Sequence, residues 1–478
     1  MMRRLPTAFL ALAFLVFFLS TLHAEDWPRF RGPNGTGVSH TAGLPTQFGP
    51  ETNVAWKVAA GEGTSSPVIA DGRLFFTSFD ADTRTVHCLD AATGDTLWTA
   101  SVEKVRDENA SRPNGPATCT PVADAAGVVA FFPDAGLFSF SVSGARRWCA
   151  DVGPFYSMHG IAASPILAAD KVVLLADQLQ GSHLAAYDLT SGKPAWKVPR
   201  VDGLTGAYST PSVFQPQGGS AHIVAGGPGE LSGYDAATGE KVWSVLGVTN
   251  SPVCVPILSG NRLFSCEPVG AISPISMLAS LDENRDGRFS LEEVKGSVPI
   301  FRLLSLVDKQ WGNDDGVVEA SEWNAAFGGR VNKGGLVAVD LEDADGAVKT
   351  RQRWNYRKTV PYVSSPVVLE DVLYFVQDGG IVTSVDAENG EVLKRGRLKQ
   401  GGKQFYASPV AADGKVFLVD TAGRMTVLRA GGHWEPLATN LLDEPCVATP
   451  ALYRGHIYVR TSRTLYCFGE PAGRDVKK

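Results

Sequence analysis

Along most of the chain, apolar residues alternate with polar ones or run in short blocks, and Gly, Asp and Asn cut the blocks apart. That pattern predicts short β-strands joined by tight turns. A small residue followed by proline opens a recurring unit, as in "SSPVIADGRLFF", "ASPILAADKVVLLA", "SSPVVLEDVLYFV" and "ATPALYRGHIYV". The prolines are Pro67, Pro121, Pro165, Pro211, Pro256, Pro366, Pro409 and Pro450, spaced 41 to 54 residues apart except for 110 between Pro256 and Pro366. The second half of the unit repeats as "LDAATGDTLW", "YDLTSGKPAW", "YDAATGEKVW" and a weaker "VDAENGEVLK". In these turns Asp90, Asp188, Asp235 and Asp386 can accept backbone N–H bonds, and Gly94, Gly192, Gly239 and Gly390 supply positive φ.

Four strands per unit at a period of about 40–45 residues predict an all-β fold, an eight-bladed β-propeller of four-stranded antiparallel blades. Trp98, Trp148, Trp196, Trp243 and Trp354 fall on the fourth strand, where a flat ring can pack between blades. The last unit ends at "TLYCFGEP" without a fourth strand, whereas "NVAWKVAAG" at 53–61 is a spare one with Trp56 in the repeated position. The N-terminal strand is therefore expected to complete blade eight and remove the free sheet edges.

The first residues change the picture of the mature chain. A charged start, an apolar run from Ala8 to Leu19 and small residues up to Ala24 predict an export signal over 1–24, with no cysteine behind it for a lipid anchor. A turn-rich arm is expected at 25–52 with Trp27 and Phe30 packed on the propeller, then the propeller at 53–470 and a tail at 471–478. The expected location is periplasmic or extracellular, with no transmembrane helix in the mature chain. Asn34-Gly35-Thr36 matches a glycosylation sequon. A net charge of -6 with both signs scattered argues against a nucleic-acid partner. The seven cysteines show no CxxC spacing; Cys254 and Cys266 flank a turn at Ser259-Gly260-Asn261, as a cross-strand disulfide or as two buried thiols.

These Asp-x-x-x-Gly-x-x-x-Trp repeats and small-Pro steps resemble the family of PQQ-like β-propeller repeat proteins. The resemblance implies the propeller fold and two kinds of activity. Quinoprotein dehydrogenases of the family use pyrroloquinoline quinone with calcium, and other members are assembly scaffolds of the outer membrane. The dehydrogenases carry adjacent cysteines beside the quinone, whereas the nearest cysteines here are Cys254 and Cys266.

The long interval between Pro256 and Pro366 marks an insertion, about 270–330, inside blade five. In it Asp282, Asn284, Asp286, Arg288 through its carbonyl, Ser290 and Glu293 resemble an EF-hand calcium loop residue for residue, with Gly287 at the bend. Ca²⁺ is a hard cation that takes six to eight oxygens, which such a loop supplies. A second candidate has Asn313, Asp315, Glu319 and Glu322 correctly spaced about Gly316, but Asp308 lies three residues too early to be the first ligand without a bulge. Phe289 and Val318 are expected to make the short β-contact between paired loops.

In a four-stranded blade the loops entering strand one and those joining strands two and three share one face. The insertion should overhang that mouth, along with Tyr156, His159, Tyr208, Tyr362, Phe405 and Tyr406. Asp177, Glu267, Asp378, Asp420 and Arg460 are expected on the same face. This reading favours an exported, calcium-binding scaffold for a protein or cell-envelope ligand. The rival is a divergent quinoprotein oxidoreductase holding pyrroloquinoline quinone in the mouth.

Overall fold

The computed structural model describes residues 25–470 apart from 158, 201–207, 247, 250–251, 269–274, 328–334, 345–346, 401 and 403. The expected signal, 1–24, and the tail, 471–478, lie outside the described residues. Eight four-stranded antiparallel sheets form, one per repeat, within 68–103, 122–150, 166–199, 212–246, 257–356, 367–397, 410–441 and 451–468, the last completed by 54–59. These are blades 1 to 8. The N-terminal strand Val54–Ala59 pairs antiparallel with Thr464–Phe468, from Val54 opposite Phe468 to Ala59 opposite Thr464, so the ring closes as the spare strand predicts.

The turns and tryptophans act as a pair. Asp90 Oδ1 accepts the N–H groups of Ala92 and Thr93 at 2.8 and 3.0 Å, and Asp386 repeats this with Glu388 and Asn389. The turn ends at a glycine of positive φ, 77° at Gly94, and the Trp56 ring of the preceding blade lies where a Cβ would stand, 2.6 Å away. Trp56 Nε1 then donates to Ala91 O at 3.1 Å. Trp98, Trp148, Trp196 and Trp354 dock in the same way on Val142, Leu189, Ala236 and Ala387. Trp243 departs from the expectation. Blade 5 ends in a lengthened hairpin, Gly335–Ala344 with Ala347–Tyr356, where blades 1, 3, 4 and 6 have a short Asp–Gly turn. Without that dock, Trp243 stays on its own blade and donates to His222 Nδ1 at 3.2 Å.

Cys254 and Cys266 are buried, free thiols in hydrogen-bond contact. The hairpin register, Ser259 opposite Arg262, makes Gly260-Asn261 a two-residue turn, one residue off the symmetry expected of the two cysteines. In blade 1, His87 stacks on Phe76 with ring centroids 4.5 Å apart and bonds Ser78 Oγ at 2.7 Å. Burial, with a smaller repulsion from Arg460, holds its imidazole at about 4 instead of 6.5. Since the unfolded chain takes up the proton first, this stability is present above pH 6.5 and is lost as pH falls towards 4. The unfolding free energy should drop by roughly 2–3 kcal/mol more between pH 7.5 and 4.5 in the native chain than in His87→Gln. Urea titrations at both pH values check this; equal drops would remove His87 from the account.

Candidate functional site

The first strands of the blades surround the axis, and the residue before each proline faces it. Seven of these carry hydroxyls: Ser66, Thr120, Ser164, Thr210, Ser365, Ser408 and Thr449. Each hydroxyl accepts the N–H of the preceding blade, as in Ser66 N–H to Thr120 Oγ1 at 3.0 Å, and the chain of bonds returns through Thr449 N–H to Ser66 Oγ at 3.0 Å. The one break lies between blades 4 and 5, where Val255 stands in place of a hydroxyl but still donates its N–H to Ser365 Oγ at 2.9 Å. Among the described residues none of the seven hydroxyls donates its own proton to a protein acceptor.

All seven line a cavity of about 320 Å³ on the axis. One end opens at the mouth. At the other the N-terminal arm crosses the ring: Trp27 bridges Ile69 of blade 1, Pro28 O accepts from Ala123 of blade 2, and Gly37 O accepts from Ala411 of blade 7. Asn34, at the expected sequon, has its amide committed to Val213 of blade 4, with bonds of 2.7 and 2.8 Å. Phe30 of this arm lines the cavity, which makes it a blind cup.

Of the six aromatic mouth residues expected from sequence, His159, Tyr208, Tyr362 and Tyr406 line the cup. Burial pushes the Tyr208 hydroxyl up to about 12, so it stays neutral. Tyr156 instead packs against the apolar core of the insertion, and Phe405 is buried between blades 6 and 7. Three of the polar residues expected at the mouth turn inward. Asp177 is fully buried on Arg200 at 2.7 Å, Asp420 pairs with Arg424 at 2.7 Å, and Arg460 is buried on Ser65 and Thr77. The remaining lining includes Arg112 and Asn114, carried by the loop between blades 1 and 2 and held by Asn114 Nδ2 to His159 O at 3.0 Å. Nothing in the sequence of that loop marks it, whereas the hydroxyls were visible as the Ser or Thr before each proline.

The cup is poor in negative charge. Among the described residues neither Asp nor Glu lines it, and Arg112 is exposed. Three further guanidiniums lie buried around it: Arg29 and Arg31, on either side of Phe30, and Arg460, which holds Ser65 between the lining residues Thr64 and Ser66. Among the described residues their hydrogen-bond partners are backbone carbonyls and one hydroxyl, and Nε of Arg29 and of Arg460 has none. Burial lowers all three to about 9, which leaves them charged at neutral pH.

The insertion lies between strands two and three of blade 5 and reaches blade 3, where Leu179 and Tyr156 join its core of Phe289, Leu304, Val307 and Trp323. Its helix α1, Val298–Trp311, has Pro299 in the first turn and buries Leu303, Leu304 and Val307; helix α2 is Ala320–Phe327. Phe289 pairs with Val318 and Ser290 with Val317 in the expected ribbon. In the first loop Asp282 Oδ2 accepts from Gly287 N–H, Asn284 from Asp286, Asp286 from Arg288, and Glu293 Oε2 from Ser290, at 2.8 to 3.0 Å. The second loop repeats this winding, because Asp308 sits one turn before the end of α1 and its Oδ2 reaches Gly316 N–H at 2.9 Å. Asn313 accepts from Asp315, and Glu322 from Glu319, at 3.1 and 3.0 Å. Among the described residues no three or more His, Cys, Asp or Glu side chains converge as a metal-holding group.

The family model of the outer membrane protein assembly factor BamB matches residues 46–200, 180–344 and 308–435. BamB of Burkholderia pseudomallei (strain K96243) is 27% identical over 246 residues, 48% of this chain and 57% of that protein, so the chain spans less than two thirds of this relative. Among solved structures, BamB from Moraxella catarrhalis aligns at TM-score 0.54 and 10% identity over 87% of this chain and 99% of its own. A europium-containing methanol dehydrogenase aligns at 0.59 and 10%, over 93% and 98%. Quinohemoprotein alcohol dehydrogenase from Comamonas testosteroni aligns at 0.56 and 12%, over 95% and 82%. At such identities the structural likenesses show the propeller alone. The family matches together span 46–435, most of the chain, and the protein belongs to the PQQ-like repeat propellers described as outer membrane protein assembly factor BamB.

Proposed function

We propose that this protein is an exported, calcium-binding propeller that serves as a binding and assembly scaffold, taking part of a protein or cell-envelope ligand into the cup beneath the insertion. The observation that carries this reading is the blind cup, with aromatic side chains at its rim, Ser and Thr residues around its wall and no carboxylate among the described residues. Propellers of this family with an assembly role, as the BamB name states of its bearers, make the same use of the fold the natural expectation. Among the described residues no helix is long and apolar enough to cross a membrane. On this reading 1–24 direct export, 25–52 form the arm, 53–470 the propeller, 270–330 the insertion and 471–478 a tail.

A calcium-bound quinone fits the cup poorly, because among the described residues no Asp or Glu lines it to hold the metal or to act as a base. No step is therefore derived through pyrroloquinoline quinone. The deciding experiment incubates residues 25–478 with Ca²⁺ and pyrroloquinoline quinone, removes free cofactor, and records the absorption spectrum and dye reduction with alcohols and sugars. No retained quinone and no turnover is the expected result; retained quinone with turnover would replace the scaffold by an oxidoreductase.

For calcium, the support is a pair of orphaned oxygens. Asp282 Oδ1 and Glu293 Oε1, at the first and last ligand positions of the loop, are shielded from solvent and have no hydrogen-bond partner among the described residues. A divalent cation would satisfy both, joined by Asn284, Asp286, the carbonyl of Arg288 and Ser290. In the second loop the reach of Asp308 from α1 removes the spacing objection and leaves Asn313, Asp315, Glu319 and Glu322 as its companions. Asp282→Ala with Glu293→Ala should abolish the tighter event in a calorimetric Ca²⁺ titration and leave any weaker one. An unchanged isotherm would sink the assignment of the first loop.

A further inference from the structure

We infer that the insertion holds the mouth loop of blade 3 as a target within the same chain, with Leu179 as the anchor, so that calcium binding in the insertion and its docking on blade 3 form one linked equilibrium. The inference rests on the calcium reading and adds what the cation controls. The insertion leaves the chain in blade 5, between the strands Arg262–Glu267 and Gly335–Ala344. Its apolar core nonetheless contains no residue of the blade 5 sheet among the described residues. One buried member, Leu179, comes from blade 3 and is 2% exposed, and the rest come from the insertion. Tyr156, in the loop that enters blade 3, packs against the same group. The insertion is therefore anchored two blades away from its origin.

Local bonds on blade 3 present Leu179 to the insertion. After the strand Lys171–Ala176, Gln178 N–H donates to Ser182 Oγ at 2.9 Å, Ser182 Oγ–H donates back to Gln178 O at 2.8 Å, and Gln178 Nε2 donates to Gly181 O at 3.1 Å, which closes the turn. Tyr156 is tied to this turn through both of its backbone groups: its N–H donates to Gln178 Oε1 at 2.8 Å, and its carbonyl accepts Leu179 N–H at 2.9 Å. The two loops act as one unit. Tyr156 apart, the apolar residues grouped with Leu179 all belong to the insertion, so only docking keeps that side chain from water. Calcium-loop helix pairs capture separate target segments in this way, by taking an apolar anchor into a groove.

The proposed ligands and the core that takes Leu179 are neighbours along the chain. Phe289 lies between Arg288 and Ser290, Val294 follows Glu293, and Val307 precedes Asp308; all three apolar side chains are buried in the Leu179 group. The pairing of Phe289 with Val318 joins the two loops inside this core. Without a cation, Asp282 Oδ1 and Glu293 Oε1 stay unsatisfied among the described residues, a cost carried by this arrangement of the loops. A cation removes that cost only while the arrangement holds, and the packed core holds it. Binding and docking therefore favour each other. The coupling is reciprocal: what calcium adds to the grip on Leu179, Leu179 adds to the grip on calcium.

The test uses residues 25–478 and two measurements. Hydrogen–deuterium exchange in saturating Ca²⁺ and in chelator should show the amides of 177–183 exchanging about tenfold more slowly with Ca²⁺, and no such difference in Asp282→Ala with Glu293→Ala. A calorimetric Ca²⁺ titration of Leu179→Ala should show the tighter event weakened about fivefold or more, the usual size of coupling between two sites. Leu179→Met keeps an apolar anchor of similar volume and should stay within about twofold of the native chain. Leu179 lies outside the strands of blade 3, so both variants leave the sheet intact, and exchange in the native chain needs no variant. Calcium that binds the native chain yet leaves the exchange of 177–183 unchanged, or that binds Leu179→Ala as tightly as the native chain, would overturn the inference while the calcium reading stands. A native chain that takes up no calcium would overturn both, and a blank titration tells that case from the other.

Discussion

Arg31→Met should lower the stability of the propeller by about 3–5 kcal/mol, the range of a broken buried hydrogen-bond network. Arg31 is fully buried, and its guanidinium ties the arm to two blades. Nε donates to Gly35 O at 3.0 Å and Nη2 to Thr36 O at 3.2 Å within the arm. Nη1 donates to Ser365 O at 3.2 Å and Pro409 O at 3.4 Å, and Nη2 to Pro366 O at 2.5 Å. Methionine fills much of the space but leaves those carbonyls without a donor in a buried place. The arm should then loosen, and with it Phe30, the floor of the cup. Urea unfolding gives the stability, and limited proteolysis with mass mapping gives the arm: new cleavage within 25–42 is expected. Arg31→Lys should recover only part of the loss, because an ammonium cannot reproduce the planar fork. An unchanged midpoint in Arg31→Met would mean that Trp27, Arg29, Asn34 and the backbone bridges hold the arm without Arg31.

The second large effect concerns the loop that brings Arg112 to the cup. Arg84 in blade 1 and Asp134 in blade 2 are buried on each other, 2% and 4% exposed, with Nε 3.0 Å from both carboxylate oxygens. The backbone carbonyl of Asp134 also accepts Val105 N–H at 3.0 Å and Arg106 N–H at 3.1 Å, which starts the loop on its course to the mouth. Asp134→Ala strands a charged guanidinium in a dry site and should cost about 3–5 kcal/mol. Replacing both partners, Arg84→Met with Asp134→Leu, removes both charges and should cost far less than the single change. Urea titrations of the single and double variants decide. If the double variant is as unstable as Asp134→Ala, the loss comes from packing or from the Arg84 bonds to Asp80 and Thr83, and not from an uncompensated charge.

Much of this molecule was legible as sequence because its information is local and repeated. The small-Pro steps, the Asp and Gly of each turn and the spare Trp56 strand set strand number, blade number and closure, since each acts within one hairpin or between chain ends that topology must join. The loop spacing around Gly287 likewise stated its own winding, for Asx turns form between residues two or three apart. Contacts between distant segments were not legible. Trp243 follows the repeat, yet it loses its dock because the next blade has a longer hairpin. Asp308 looks misplaced until α1 carries it alongside Gly316. Tyr156 and Phe405 have the same composition and loop position as the residues that reach the cup, and only packing against the insertion and between blades turned them away.

The cup belongs to this second kind. Its wall is one hydroxyl from each of seven blades, its floor is an arm that crosses the ring, and its charge comes from arginines more than four hundred residues apart, Arg29 and Arg460. Sequence alone determined that there would be a ring and which side of it carried the long loops, because strand periodicity and turn chemistry act over a few residues. Tertiary structure alone decided that the ring would be sealed at one end and lined with donors, because that depends on where side chains far apart in the chain come to face one axis.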